Sequence, residues 1–394
     1  MSLMSELRRY VQPGPLYEDD SARFNFDGNP VRLLAYYLPQ FHAIPENDLW
    51  WGKGFTEWTN VTKSFPMFRG HYQPHLPGEL GFYDLRNPEV LYRQAALARR
   101  YGLAGFCVHH YWFSGKTLLG EPLRILLENS DIDIGFCINW VNETWSRRWD
   151  ASENDVLIAQ KHSPDDDLAL AASLEKALAD PRYIRVNGRP LLMIYRPGLL
   201  PEPRATVDRW RNHFIRAGYG DPYMVVPQNR GDLDPHVFGM DAAAGFPPHE
   251  CGFGGRRDMR ALLAKIANPK YSGLVLSYDA MMRNAISNKP SAFRFFPGVC
   301  PSWDNHARRA NRGMVFQGAV PKKYGEWLKT ACDYTMDRNA ADERIVFVNA
   351  WNEWAEGAHL EPDRYFGYAF LAETARILSA LSTAAMPREE LTTC

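Results

Sequence analysis

Short runs of β-branched and aromatic residues alternate along this chain with longer stretches in which apolar positions recur every three or four residues. The first pattern predicts buried strands and the second amphipathic helices. Strand runs lie at Val31–Leu38, Gly105–Phe113, Ile134–Trp140, Leu191–Tyr195, Tyr223–Pro227, Ala242–Phe246, within Phe293–Val299, and at Arg344–Ala350. Helical patterns over Glu89–Tyr101, Gly120–Asn129, Ser163–Ala179, Arg204–Ala217, Lys322–Tyr334 and Tyr365–Leu381 follow six of them, two opened by the start signals Asn87-Pro88 and Ser163-Pro164. Repeated strand-then-helix order predicts an α/β fold, a closed (β/α)8 TIM barrel with long loops forming a cleft at its C-terminal face. The alternative, a doubly wound open sheet, calls for a Gly-rich turn after the first strand, where this chain has Leu38-Pro39-Gln40-Phe41-His42. Residues 1–30 read as a lead-in, 31–385 as one barrel domain and 386–394 as a tail. The stretch near 248–288 reads as a small insertion or an excursion on the catalytic face, and the loop from Gln40 to Arg86 is too long to be structureless without a functional reason.

Charge narrows the function. Lys and Arg number 45 against 46 Asp and Glu, so the basic excess expected of a nucleic-acid partner is absent. No apolar run reaches the roughly 18 residues a membrane span needs, and the polar N-terminus lacks an apolar leader, so a cytoplasmic protein is expected. No two of the six cysteines lie closer than 30 positions, which leaves no metal or redox spacing. Neither a cofactor nor a metal is expected.

The aromatic content changes the picture. Phe, Tyr and Trp make up 13% of the chain, and ten of the twelve tryptophans fall in segments that leave the expected strands; only Trp210 and Trp327 lie in helices. Those segments also carry His42, Glu57, His109, His110, Tyr111, Asn139, Glu143, Asp304 and the run Trp351-Asn352-Glu353-Trp354-Ala355-Glu356-Gly357. Rings interleaved with carboxylates, amides and imidazoles suit a carbohydrate, whose C–H faces stack while its hydroxyls need convergent donors and acceptors. Glu353 and Glu356 are the sharpest feature, because glycosidic cleavage requires one carboxyl as acid and another as nucleophile or base. A pair three apart also arises on any solvated helix face, but tryptophans on both sides argue against that here. Of the adjacent His109 and His110, strand alternation lets only one face inward. Glu57 and Glu143 fit sugar hydroxyls and loop salt bridges equally well.

Several motifs together closely resemble the WbsX-type family, glycoside hydrolase family 99-like proteins of bacterial polysaccharide loci, many labelled lipopolysaccharide biosynthesis glycosyltransferases. The motifs are Tyr36-Tyr37-Leu38-Pro39-Gln40-Phe41-His42, Gly54-Phe55-Thr56-Glu57-Trp58, His71-Tyr72-Gln73-Pro74, His110-Tyr111-Trp112-Phe113, Asn139-Trp140 and Asn349 to Gly357. The resemblance implies a (β/α)8 barrel and retaining chemistry on α-mannoside-like linkages without metal. It implies that Glu353 acts as base on the sugar's own 2-hydroxyl, and that Glu356 is the general acid and later the base. An endo-acting hydrolase of a bacterial polysaccharide is the expectation. Tyr37, His42, Glu57, Trp58, His110, Tyr111, Asn139, Trp140, Trp303 and Asn352 would shape its oligosaccharide subsites. A glycosyltransferase is the alternative; its usual Asp-x-Asp metal motif has one candidate, Asp165-Asp166-Asp167, which reads better as the acidic first turn of a helix. A non-catalytic carbohydrate-binding barrel is the third reading.

Overall fold

A computed structural model of the chain describes residues 10–147, 155–249, 251, 270–287, 290 and 292–385. Trp149, the tail 386–394, the start of the lead-in and the middle of 248–288 lie outside the described residues.

Nine parallel strands form the central sheet: β1 (Arg32–Tyr37), β2 (Gly105–Phe113), β3 (Gly135–Trp140), β4 (Arg189–Ile194), β5 (Tyr223–Gln228), β6 (Ala242–Gly245), β7 (Arg294–Phe296), β8 (Gly298–Val299) and β9 (Ile345–Val348). Each pairs with its sequence neighbour from β1 to β7, and β9 pairs with both β1 and β8. β7 and β8 are the two halves of the single seventh strand expected from sequence. Pro297 divides them, since it has no N–H to give the ladder. The first half pairs with β6 and the second with β9, so the ring closes as an eight-stranded barrel. Closure brings backbones very near each other: a Cβ on Gly298 would lie 2.1 Å from the Gly245 carbonyl oxygen, which is why that joint is glycine on both sides.

Helices α1 (Pro88–Arg100), α2 (Glu121–Glu128), α3 (Pro164–Leu178), α4 (Pro203–Arg216), α5 (Pro321–Arg338) and α6 (Ala369–Ala385) match the six helical patterns. All but the last begin with proline in the first turn. The Ser163 hydroxyl caps α3 by accepting the Asp166 N–H, so Asp165, Asp166 and Asp167 are indeed an acidic first turn. Asp166 accepts the Trp112 indole N–H and Asp167 takes Arg209, which spends both carboxylates on packing. The two strands for which no helical pattern is expected, β5 and β6, have other sequels. β5 is followed only by a short 3-10 turn, Pro235–Phe238. After β6, the described residues include a strand Leu274–Ser277 paired with Met314–Gln317 and a helix Tyr278–Ser287. The long segment between β1 and α1 holds two short helices, Pro45–Trp51 and Glu57–Thr62. Among the described residues, no helix is long and apolar enough to cross a membrane.

Candidate active site

The run Trp351–Gly357 does not form a helix after β9. Asn352–Glu353 pairs antiparallel with Ala358–His359, and a 3-10 turn, Trp354–Glu356, joins the two. Gly357 ends the turn at φ +59°, where a Cβ would meet the Asp304 backbone nitrogen at 3.1 Å, so the turn requires glycine on both counts. The hairpin is fixed to its surroundings. The Asn352 amide accepts the Leu38 N–H at 2.7 Å and donates to the Leu38 carbonyl at 3.0 Å. The Asp304 N–H donates to the Glu356 carbonyl at 2.6 Å, and the Ser302 hydroxyl donates to the Gly357 carbonyl.

This geometry turns Glu353 and Glu356 into one cavity of about 220 Å³. Its walls come from the ends of successive strands: Leu38 and Gln40 after β1, His109 and Tyr111 on β2, Val141 and Glu143 to Ser146 after β3, Tyr195 after β4, Arg230 after β5, Phe246 and His249 after β6, and Asn349 after β9. It is therefore at the C-terminal face, where barrel loops converge. Trp51 and Trp145 supply its tryptophan surface.

One cation organises the carboxylates. Arg308, in the short helix His306–Arg309, places Nη2 2.9 Å from Glu353 and Nη1 2.7 Å from Glu356. Its Nε and Nη2 hold Glu57 at 3.1 and 3.0 Å, and Glu57 also accepts the Asn60 amide. Burial pushes the Glu353 carboxyl up to about 8; Arg308 opposes the rise, and Glu356 and Glu57 add to it. Burial also raises Glu356, again against Arg308. Burial, with Arg308 adding, pushes His109 down to about 3, so its ring is neutral. Two carboxyls facing one cavity and resisting double ionisation are the elements of an acid/base pair.

Two buried histidine–carboxylate groups flank the hairpin with ligand atoms close enough to share a cation: His71, Asp304 and His306, and His75, His359 and Asp363. In the first, the Met67 N–H donates to His71 Nδ1, which leaves the ring proton on Nε2, 2.6 Å from Asp304. His306 Nδ1 and the Gln73 amide complete that carboxylate's hydrogen bonds at 2.5 and 2.8 Å. In the second, His359 Nδ1 donates to the Glu361 carbonyl and Nε2 accepts from His75. His71 and His359 spend both ring nitrogens on hydrogen bonds, and of His306 only Nε2 has no partner among the described residues, so both groups read as braces for the loops they join.

The sequence-selected wall residues divide sharply. Tyr111 lines the cavity, accepting the Gln40 amide at 2.9 Å, and Glu57 reaches the pair through Arg308. The others do not line it. Tyr37 points outward and donates its hydroxyl to Gln94 of α1, while Tyr36 occupies the barrel interior against Phe347 and Phe246. His109 faces the cavity, not His110, because the alternation along β2 sends His110 and Trp112 toward the helices. Trp140 packs on Trp210 of α4 at 5.3 Å, and Asn139 lies deeper in the barrel beside His109. Trp58 donates its indole N–H to the Tyr83 carbonyl and packs on Trp354, beneath the hairpin. His42 is buried in the loop after β1, Trp303 faces a second cavity, and Asn352 is spent on Leu38. The expectation that the tryptophans line a cleft is thereby corrected: of the nine described in strand-exit segments, Trp51 and Trp145 do so, and most of the rest are core. Arg308, Arg230, Tyr195 and His249 were missed. Arg308 had a readable signal, since several carboxylates gathered at one barrel mouth demand a buried cation.

A family model described as "Glycosyltransferase WbsX" matches residues 33–374. Two proteins named "Uncharacterized protein WxcX", from two strains of Xanthomonas campestris pv. campestris, are each 46% identical over 350 residues, 89% of this chain and 50% of theirs. The chain thus spans about half the length of the curated relatives it matches. Among solved structures, the GH99 endo-alpha-mannosidase from Bacteroides thetaiotaomicron superposes with a TM-score of 0.57 at 16% identity, over 91% of this chain and 99% of that one. A glycoside hydrolase-like protein gives 0.56 at 13% identity, over 92% and 98%. At such identities the likeness is one of fold, and it agrees with the closed parallel barrel. The family match takes in every strand from β1 to β9 except the first residue of β1, together with the hairpin that carries both glutamates, and on that ground the chain belongs to the WbsX family.

Proposed function

We propose that this chain is a carbohydrate-active enzyme, a retaining, endo-acting glycoside hydrolase of α-mannoside-like linkages in a bacterial polysaccharide. Glu356 serves as acid and then base, and Glu353 as the base that engages the sugar's 2-hydroxyl. The observation that carries the reading is the sharing of one cavity and one guanidinium by Glu353 and Glu356 at the barrel's C-terminal face. The surrounding chemistry is consistent with a sugar. Trp51 and Trp145 offer stacking faces, and Gln40, Asn47, Tyr111, Asn305 and Asn349 offer neutral donors and acceptors. The Asp-x-Asp candidate, Asp165 to Asp167, is the acidic first turn of α3, with Asp166 held by Trp112 and Asp167 by Arg209, which weighs against the transferase.

The test is a screen of purified protein against α-mannan oligosaccharides and bacterial O-antigen, with Glu353→Gln and Glu356→Gln as controls. Cleavage in water that is lost in both variants is expected. Turnover surviving both substitutions would sink the mechanism, and product formed only with added nucleotide-sugar would assign the transferase. Sugar affinity without any turnover would assign a binding barrel.

A further inference from the structure

Three carboxylates surround one guanidinium, and its contacts with them are unequal. Nε and Nη2 lie on Glu57, whose side chain is 0% exposed, and Nη2 also reaches Glu353, 9% exposed. Nη1 alone reaches Glu356, whose side chain is 21% exposed and faces the cavity. The Glu57 side of Arg308 is thus the anchor, and the Glu356 contact is the one an entering molecule can reach. That contact works against the role given to Glu356: the Nη1 N–H 2.7 Å away favours its ionised form, which has no proton to donate, whereas the Nη2 that reaches Glu353 at 2.9 Å is shared with Glu57.

We propose that Arg308 is a positioning residue that places the one proton of the Glu353/Glu356 pair: with Nη1 on Glu356 the proton stays on Glu353, and when a sugar draws Nη1 aside the proton moves to Glu356. This rests on the reading of the two glutamates as an acid/base pair. The step balances without a co-reactant. Glu353 loses a proton and becomes the carboxylate base, Glu356 gains it and becomes the acid, and a water or sugar hydroxyl relays it. Arg308 keeps its charge throughout, with Nε and Nη2 still on Glu57.

Surrounding groups leave that assignment to Arg308. Burial raises Tyr111 and Tyr195 and pushes His109 down, so all three rings are neutral, and burial raises the Cys300 thiol as well. The charged groups that act on the pair are then Glu57, Arg308 and Arg309; Glu143 and Arg230 line the same cavity but are paired with each other at 3.3 Å, and Arg309 makes no ion pair among the described residues. Single-proton sharing by a coupled carboxyl pair is the general expectation when both are withdrawn from water near each other. What Arg308 adds is a preference between the two sites that reverses on binding.

The experiment is a carbon-13 NMR titration of glutamate-labelled protein, with the two carboxyl signals assigned through Glu353→Gln and Glu356→Gln. In the ligand-free wild type, Glu356 should lose its proton before Glu353. In Arg308→Met, Glu356 should titrate higher by about one pH unit or more, closing the gap. Arg308→Lys, which keeps the charge without the fork, should shift in the same direction by less and guards against loss of fold in the Met variant. Identical titrations in wild type and both variants would overturn the proposal, as would Glu356 titrating after Glu353 in the ligand-free wild type. These measurements need no turnover, so failure of the hydrolase reading in the substrate screen remains separate from failure here.

Discussion

Glu353→Gln should abolish activity and at the same time stabilise the protein at alkaline pH. The fold buries the Glu353 carboxyl and raises it from an ordinary 4.5 to about 8. A group whose folded value lies above its unfolded value contributes fully below the unfolded value, and the contribution is lost as pH rises through the folded one. For Glu353 that window runs from about pH 4.5 to 8, so the folded state is progressively penalised as the carboxyl is driven to ionise. At about 1.4 kcal/mol per pH unit the whole window amounts to roughly 5 kcal/mol as an upper bound, comparable with the entire stability of many domains. Glutamine has nearly the same shape and still offers Arg308 Nη2 an acceptor, but carries no charge to desolvate. Urea denaturation of wild type and variant at pH 5, 7 and 9 reads the difference. The two should be nearly equal at pH 5, and the variant should be the more stable by about 2–5 kcal/mol at pH 9. A difference that is flat across this range, or a variant less stable than wild type at pH 9, would show that the carboxyl is not paying a burial penalty and would refute the reasoning.

The remaining tests separate wall from core and brace. Trp145→Ala, at a cavity residue edge-on to Tyr111 at 4.9 Å, should weaken oligosaccharide binding by about 1–2 kcal/mol in calorimetry with little change in melting temperature. Trp140→Ala should do the reverse, costing about 3–5 kcal/mol of stability by leaving a hole against Trp210 while folded molecules keep their affinity. Asn352→Ala removes both bonds to the Leu38 backbone and should cost about 2–4 kcal/mol in denaturation; Asn352→Asp should not rescue it, because the carboxylate has no N–H for the Leu38 carbonyl. Gly357→Ala combines a positive φ with contact against Asp304 and should cost about 1–3 kcal/mol, with a fall in kcat larger than any change in KM as the Glu356 turn is displaced.

The architecture was largely legible because each barrel strand is a short apolar run between turn residues and five of the six large helices open on proline. The split of the seventh strand was half-legible. Pro297 stands inside the run Phe293–Val299, and a proline in a ring of central strands implies a break in the ladder. What the run could not say is that its halves would pair with different neighbours, because that depends on the approach of Gly245 to Gly298 across the closing joint. The motif hairpin was illegible for a related reason. An i, i+3 spacing suggests a helix, whereas the αL glycine and the Asn352 bonds to Leu38, 314 positions away in sequence, impose a turn.

Within the site, three of the errors, Tyr37, His110 and Trp140, share one cause. Tyr36/Tyr37, His109/His110 and Asn139/Trp140 are adjacent pairs on barrel strands, and strand geometry sends one member inward and one outward. His109 and Asn139 lie opposite each other in the register of β2 and β3, so they belong to one inward layer, while His110 pairs with Trp140 on the outward side. Choosing the bulkier aromatic, as with Trp140, chooses wrongly, because the space between sheet and helices is where a large apolar ring buries most area. The barrel interior near its mouth has to hold polar groups instead. Tryptophan abundance in this chain therefore measures the packing beneath the loops more than the lining of the cavity. The charged residues are the better guide. Glu57, Glu353 and Glu356 come from segments about 300 positions apart in sequence, and gathering three such carboxyls in a buried mouth calls for protonation or a cation among them. That requirement points to an arginine in one of the neighbouring strand-exit loops, and Arg308 meets it with contacts to all three.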